Sequence, residues 1–537
     1  MAEKSVSMAM LQAISPLDGK LLGEYTPSSG TDIQRQLLAA RNAADIWRQV
    51  PIKTRCKILG RLLPLLLADL DHLCDRIVQT TGKVRTEALL GEIYPILDLT
   101  RYYQKHAAAI LRPQSIATSP FAFPGATAGI ERRPYGVVAV ISPWNYPFQL
   151  SLAPLLTALF AGNAVLLKTS EFSLPIGRLI MDLCQKLELP DGLVQWIIGD
   201  AGAGEQLLDA GPDLVFFTGG LNSGRAVMQR AAQHPIPVLL ELGGKDPMLV
   251  FADADLPRAC AAALYGAFCN SGQACVSVER LYVQQACHAE FLQLLRTGLA
   301  DINVGHGPQG DLGAMTSERQ FDIVKAHYVD AIAQGAQASG PLERQGNYVK
   351  PVLLWNVHHG MRLMREETFG PLLPLMAFQD EAAALQLAND SEFGLNASVW
   401  SKDIGKAERI AGQLHTGNWV INDVLKNIGH PGLPFGGAKK SGFGRYHGAE
   451  GLRQFTYPVS GLTSRSHLPR EPNWFPYSEL RYQHFKGYID FVYGSGSLPQ
   501  RIKRNWPALE AFKEYSAFDL TQRWQNLKLW LSWQRDY

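Results

Sequence analysis

Apolar and polar positions change their period along the chain. In residues 33–50 and 54–80, Ala and Leu recur with Arg, Gln and Asp between them. That spacing predicts amphipathic helices, and residues 31–120 read as mostly helical. From Tyr135 short β-branched runs alternate with helical stretches. Val137-Val138-Ala139-Val140-Ile141 precedes a helical stretch after Pro147. Asn163-Ala164-Val165-Leu166-Leu167 leads to another near Ser173-Leu174-Pro175. Val194-Gln195-Trp196-Ile197-Ile198 and Leu214-Val215-Phe216-Phe217 follow. Strands that are apolar throughout, rather than alternating, predict a parallel sheet covered on both faces. A second α/β stretch runs over about residues 248–420. Its strand candidates are Arg280-Leu281-Tyr282-Val283, Pro371-Leu372-Leu373-Pro374-Leu375 and Trp419-Val420-Ile421. Ligands of such sheets bind at the carboxyl ends of the strands.

At 537 residues the chain exceeds one ordinary core, so two or more domains are expected. A net charge of +2 gives no global case for nucleic acid, and none is expected as a partner. The opening Met1-Ala2-Glu3-Lys4-Ser5-Val6-Ser7 has no basic segment followed by an apolar stretch, so no secretory signal is expected. No apolar run approaches the roughly 18 residues of a membrane span. Seven cysteines stand at spacings unlike a disulfide framework or a zinc site. Reduced thiols in a cytoplasmic protein without a bound metal are the simplest reading.

The chain after Gly461 is rich in Trp, Tyr, Phe and Arg. Trp524, Leu527, Trp530, Leu531 and Trp533 fall at a spacing that fits one apolar helix face. Two readings stand for this extension. It docks on the enzyme's own surface or a partner subunit, or it makes peripheral membrane contact, being too polar to span.

The candidate chemistry begins with Cys275, which follows the polar loop Asn270-Ser271-Gly272-Gln273. A thiolate can attack an aldehyde carbon, and the adduct becomes a thioester once it gives up hydride. To react near neutral pH the thiol needs a lowered pKa or a nearby base. Glu241 opens Glu241-Leu242-Gly243-Gly244-Lys245 at the end of the strand candidate Pro237-Val238-Leu239-Leu240. A carboxylate there can activate the water that hydrolyses the thioester. The bland alternative is a carboxylate capping a turn or pairing with Lys245. Asn145, in Ser142-Pro143-Trp144-Asn145-Tyr146-Pro147, can donate to a developing oxyanion beside the Cys275 backbone N–H. Its alternative is a helix cap. Lys168, Ser170 and Glu171 follow a strand, where a carboxylate can accept both hydroxyls of an adenosine ribose and favours NAD over a 2′-phosphate. The turn of Thr218, Gly219, Gly220 and Gly224 can bring a pyrophosphate onto backbone N–H groups. Phe435 stands in Leu433-Pro434-Phe435-Gly436-Gly437, with a core Phe as its alternative. His430 and His447 are read as hydrogen-bonding rather than acid–base residues.

These runs, with Glu366-Glu367-Thr368-Phe369-Gly370-Pro371, resemble the aldehyde dehydrogenase superfamily in order and spacing over roughly residues 25–460. The resemblance implies an α/β fold with two parallel-sheet domains, a small β oligomerisation domain and a C-terminal extension. Its divisions would be residues 1–120, the helical part of the cofactor domain; 121–138, oligomerisation strands; 139–240, the Rossmann-like NAD domain; 241–425, the catalytic domain; 426–460, a return segment and oligomerisation strand; and 461–537, the extension. It implies NAD(P)-dependent oxidation of an aldehyde to a carboxylic acid, with NAD preferred and NADP accepted by some relatives. Cys275 would be the nucleophile, Glu241 the base and Asn145 the oxyanion donor. Ser142, Trp144, Leu242 and Gly243 would join the cofactor set, Glu367 would bind the nicotinamide ribose and Phe369 would pack near the ring. Tyr146 and Phe435 would line the aldehyde tunnel. A homodimer or homotetramer is implied by Ile130-Glu131-Arg132-Arg133 and Gln454-Phe455-Thr456-Tyr457.

Within the family, the Gly219-Gly220 pair and Tyr446-His447-Gly448 look most like the class 3 and long-chain branch, which points to medium, long or otherwise apolar aldehydes. Gly394-Leu395-Asn396-Ala397-Ser398-Val399 looks more like the tetrameric classes. Two alternatives remain: a coenzyme A-acylating dehydrogenase, which usually lacks the glutamate, and a catalytically silent scaffold.

Overall fold

The computed structural model describes residues 9–118, 123, 125–305, 310–466 and 469–511. The segment holding Trp524, Leu527, Trp530, Leu531 and Trp533 lies outside them. The chain divides into two compact units. One comprises residues 1–111 and 133–457, the other residues 112–132 and 458–537.

The first unit carries the two sheets that the apolar runs predict. In the six-stranded sheet, Leu214–Thr218, Val137–Ile141, Ala164–Lys168 and Val194–Ile197 lie side by side and parallel. Val238–Glu241 extends the parallel set beyond Leu214–Thr218, and Gly442–Phe443 closes that edge antiparallel. Val137–Ile141 and Ala164–Lys168 are buried at every position, as unbroken apolar strands require. The helix Gln149–Ala161 is buried at every position too, so its sequence shows no polar face. The seven-stranded sheet centres on Asp246–Val250, Val278–Gln284 and Leu372–Phe378, all parallel.

The helical reading of residues 31–120 meets two departures. A π-helical turn, Ala88–Ile93, is inserted before the helix Tyr94–Ile110, and a short strand, Gln114–Ile116, follows it. Glu92 lies on that turn and is fully buried. Its Oε2 accepts from the backbone N–H groups of Phe148 and Gln149, at the start of the helix Gln149–Ala161. This is the helix-terminus role that Asn145 had as its alternative.

In the second unit, Thr456–Ser464, Ala126–Pro134 and Gln114–Ile116 form a three-stranded sheet. The helices Glu479–Tyr493, Leu498–Arg504 and Trp506–Ala511 follow. Gln454 and Phe455, read as strand, instead end the helix Gly448–Gln454, and the strand begins at Thr456. No helix among the described residues is long and apolar enough to cross a membrane.

Candidate active site

The loop before Cys275 is held in an unfavourable backbone conformation. Asn270 and Ser271 have φ of 53° and 57°, and Gly272 has φ of 73°. Two consecutive non-glycine residues in the left-handed region need outside support, and such strain gathers at functional sites. The support is visible. The Asn270 backbone N–H donates to Glu87 Oε1 at 2.6 Å, and its side-chain amide donates to the Asn145 carbonyl at 3.1 Å. Ser271 Oγ donates to the Gly313 carbonyl, and the Thr316 N–H donates to Gln273 Oε1. A Cβ on Gly272 would lie 2.4 Å from the Gly370 carbonyl oxygen, so only glycine fits there.

Six of the seven cysteines are buried, and Cys275 alone is partly exposed. Burial pushes its thiol well above the ordinary range, and the carboxyls of Glu367, Glu241 and Asp246 add to that. At rest the group is therefore a thiol that needs a base. Glu241 ends the strand Val238–Glu241 and is 5 % exposed. Burial raises its carboxyl well above the usual carboxylate range, opposed by the Arg445 guanidinium. Its Oε2 has no hydrogen-bond partner among the described residues. Lys245 is not its partner either, since Lys245 Nζ pairs with Glu279 at 2.5 Å.

Asn145 approaches the same loop from the six-stranded sheet. Its side-chain N–H donates to the Gln273 carbonyl at 3.0 Å, leaving a second N–H available. Its carbonyl accepts from Lys83 Nζ at 2.9 Å. Lys83 and Glu92 form a fully buried ion pair, and Lys83 also lies 3.9 Å from the Tyr146 ring centroid. The sequence reading missed this pair, whose one local signal is a lysine directly after the helix-ending Gly82.

The turn of Glu367 and Phe369 is fixed from beneath. Glu279 accepts from the backbone N–H groups of Thr368 and Phe369 at 2.9–3.0 Å. Lys245 Nζ also donates to Thr368 Oγ1. Phe369 is held at φ 52°, with its ring edge-on to Trp144 at 5.5 Å. Glu367 Oε1 accepts from the Gly244 N–H at 3.0 Å. A Cβ on Gly243 would lie 2.2 Å from Glu367 Oε2, so this glycine makes room for the carboxylate. Burial, and next Glu279, raise the Glu367 carboxyl to about 8, against the Gly244 N–H and Lys245.

The other predicted cofactor residues fall into two groups. Lys168, Ser170 and Glu171 sit together where Ala164–Lys168 ends, with Ser170 Oγ donating to Glu171 at 3.2 Å. Burial lowers the Lys168 ammonium, while Glu171 and Asp200 raise it. Thr218 ends its strand with a buried Oγ1 that has no partner among the described residues. Gly220 begins the helix Leu221–Ala231, and nothing lies within 4 Å of where its Cβ would be. Gly219, by contrast, packs against Phe217, and Gly224 against Leu242, each too closely for a Cβ. Ser142 Oγ is bonded to Ser151 at 2.6 Å, tying strand to helix.

Phe435 is 4 % exposed and packs edge-on against Tyr446. Burial raises the Tyr446 phenol well above its ordinary value, and the nearby Glu241 and Cys275 add to that, a placement the sequence did not signal. His447 is buried, and burial lowers its imidazole to about 4, so it is neutral. His430 Nδ1 accepts from the Gly432 N–H.

Comparisons with known proteins identify the family. The sequence model of the aldehyde dehydrogenase family matches residues 3–460. A 4,4'-diapolycopene aldehyde oxidase of Methylomonas sp is 70 % identical over 529 residues, 98 % of this chain and 100 % of that protein. A vanillin dehydrogenase of Corynebacterium glutamicum is 35 % identical, covering 82 % of this chain and 92 % of its own. A betaine aldehyde dehydrogenase of Staphylococcus aureus, solved with NAD+, superposes with a TM-score of 0.82 at 30 % identity, covering 88 % of this chain and 94 % of its own. The chain belongs to the aldehyde dehydrogenase family, as an oxidoreductase acting on an aldehyde group.

Proposed function

We propose that the protein oxidises an apolar aldehyde to the free carboxylic acid through a covalent adduct on Cys275, with NAD as the preferred hydride acceptor. The observation that carries this is one partly exposed thiol that feels the charge of the buried Glu241 carboxyl, whose Oε2 has no partner among the described residues, and that lies two residues after the Gln273 carbonyl bonded to the Asn145 amide. The apolar substrate is supported by the likeness to a diapolycopene aldehyde oxidase over nearly the whole chain. The Gly219-Gly220 pair supports the long-chain branch.

The residues present fit a dinucleotide. Gly220 leaves open space at a helix start, and Thr218 offers a buried hydroxyl there. Lys168 and Glu171 would hold the adenosine ribose, and Glu367 the nicotinamide ribose beside Phe369. When bound, NAD supplies the acceptor for the hydride that turns the thiohemiacetal into a thioester.

The chain does the rest. Glu241 in its ionised form, its basicity raised by burial, takes the thiol proton as sulfur bonds to the aldehyde carbon. The free N–H of Asn145 and the Cys275 backbone N–H hold the oxyanion, and one such donor is worth about 2.7–4 kcal/mol. After hydride loss Glu241 releases the first proton to solvent and takes a second from water, whose oxygen attacks the thioester carbon. The C–S bond breaks, the Cys275 sulfur takes that proton back from Glu241, and the acid leaves. Glu241 also argues against the acylating reading, because coenzyme A would do the work of the water it activates.

NADH formation with a panel of aldehydes of increasing chain length, with NAD or NADP and with or without coenzyme A, tests the reading. Turnover independent of coenzyme A and rising with chain length is expected. Acyl-coenzyme A as the product overturns it.

A further inference from the structure

We propose that the C-terminal extension docks on an anionic lipid surface through an aromatic and basic face formed by Trp474, Phe475, Tyr477 and the outer stripe of the helix Glu479–Tyr493. The proposal rests on the apolar-aldehyde reading, because a substrate that partitions out of water has to be met where it accumulates.

The face itself is unusual. In the helix, the exposed positions Tyr482, Lys486, Ile489 and Tyr493 follow one another at the spacing of one helix face. Tyr493 is 78 % exposed, and Phe475 and Tyr477 in the preceding loop are 75 % and 70 % exposed. An outward stripe of a water-facing helix should be polar, yet here three of four positions are aromatic or aliphatic. The inner side is already used, with Phe491 buried. Phe475 and Tyr477 also touch one another, with ring centroids 4.8 Å apart, and exposed apolar groups gathered on one short stretch of chain mark a docking surface.

Composition and charge choose the occupant. Residues 461–537 hold 16 of the 51 aromatic residues and 5 of the 11 tryptophans. They carry 11 Lys and Arg against 7 Asp and Glu, more positive than the whole chain at +2. Arg481, Arg501 and Arg504 are engaged internally, with the Trp474 carbonyl, the Phe491 carbonyl and Asp490. Arg465, Arg470, Lys486 and Lys503 are exposed. Tyr and Trp flanked by Lys and Arg are the side chains that sit at the headgroup level of a bilayer. A second copy presenting the same face would bring these cations against themselves. The family match ends at residue 460, so the extension is an addition to the common fold. The alignment of 529 residues with the diapolycopene aldehyde oxidase is too long to omit it.

The test uses the full-length protein and sedimentation with vesicles of phosphatidylcholine alone or mixed with phosphatidylglycerol. Binding should be roughly tenfold stronger to the anionic vesicles and should weaken with salt. The triple variant Phe475→Ser, Tyr477→Ser, Tyr493→Ser should lose roughly tenfold in vesicle binding, and Lys486→Glu with Lys503→Glu should lose the preference for anionic lipid. Both should retain turnover of a water-soluble aldehyde, which shows that they fold. Wild-type protein that stays in the supernatant with every vesicle overturns the proposal. So does a triple variant that changes oligomeric mass by light scattering while binding vesicles normally, which would give the face to a second copy. Turnover of apolar aldehydes in detergent without vesicles reads the substrate class separately. Retained preference for apolar aldehydes with no vesicle binding overturns the docking alone.

Discussion

Burial raises both the Cys275 thiol and the Glu241 carboxyl well above their ordinary values, and that shared condition sets the order of events. The thiol becomes a nucleophile only when Glu241, in its ionised form, takes its proton. Cys275→Ala removes the sulfur proposed to form the covalent adduct. It should abolish turnover while leaving NAD binding, measured by quenching of Trp fluorescence, within about twofold. Retained turnover would remove Cys275 from the mechanism. Glu241→Gln keeps the shape and loses the base. Rapid mixing should show the first turnover of NADH slowed and the steady state slowed as well, by roughly 10²–10⁴-fold, the range for general-base loss. An unchanged steady-state rate would assign the water-activating role elsewhere.

At the scale of elements, the site depends on turns held by carboxylates from other segments. Glu279 clamps the Thr368 and Phe369 N–H groups and pairs with Lys245, whose side chain is fully buried. Glu279→Gln removes the charge and leaves a buried ammonium without its partner, a change that costs about 3–5 kcal/mol when such a pair is broken. The expected result is a lower melting temperature together with weaker NAD binding, since Glu367 and Phe369 share that turn. Adding Lys245→Met should recover part of the stability but not the NAD affinity. An unchanged NAD dissociation constant in Glu279→Gln would reduce the clamp to a packing detail. The sequence made the clamped residues legible and the clamp illegible. Val137–Ile141 and Ala164–Lys168 announced themselves because a buried parallel strand must be apolar throughout. Cys275, Glu241 and Asn145 stood in runs of distinctive order. Glu279 and Glu92, by contrast, bond backbone groups 89 and 56 residues away, and nothing near them in the sequence names those partners. Lys245 was read beside Glu241 because both stand in the same short run of sequence, whereas the strand Val278–Gln284, paired in parallel with Asp246–Val250, brings Glu279 to it.

Across the first unit, Glu87, Glu241, Asp246 and Glu367 all have carboxyls raised by burial, so the folded state holds protons that the unfolded chain would release. The sign of the consequence follows from linkage. A carboxyl whose folded value lies above its unfolded value contributes stability that is fully present below the unfolded pKa and is lost as pH rises through the folded one. For Glu367 that window runs from 4.5 to about 8. Within it, each pH unit costs about 1.4 kcal/mol at full proton difference. The melting temperature of the protein without cofactor should therefore fall as pH is raised from about 6 to about 9, the reverse of the behaviour of a protein held by ionised surface carboxylates. Glu367→Gln removes the titrating group and keeps the volume, so its melting temperature should fall less over the same range. A parallel decline in both proteins would show that Glu367 is ionised in the folded state at neutral pH. The Gly244 N–H and Lys245, the two groups that oppose its burial, would then outweigh it.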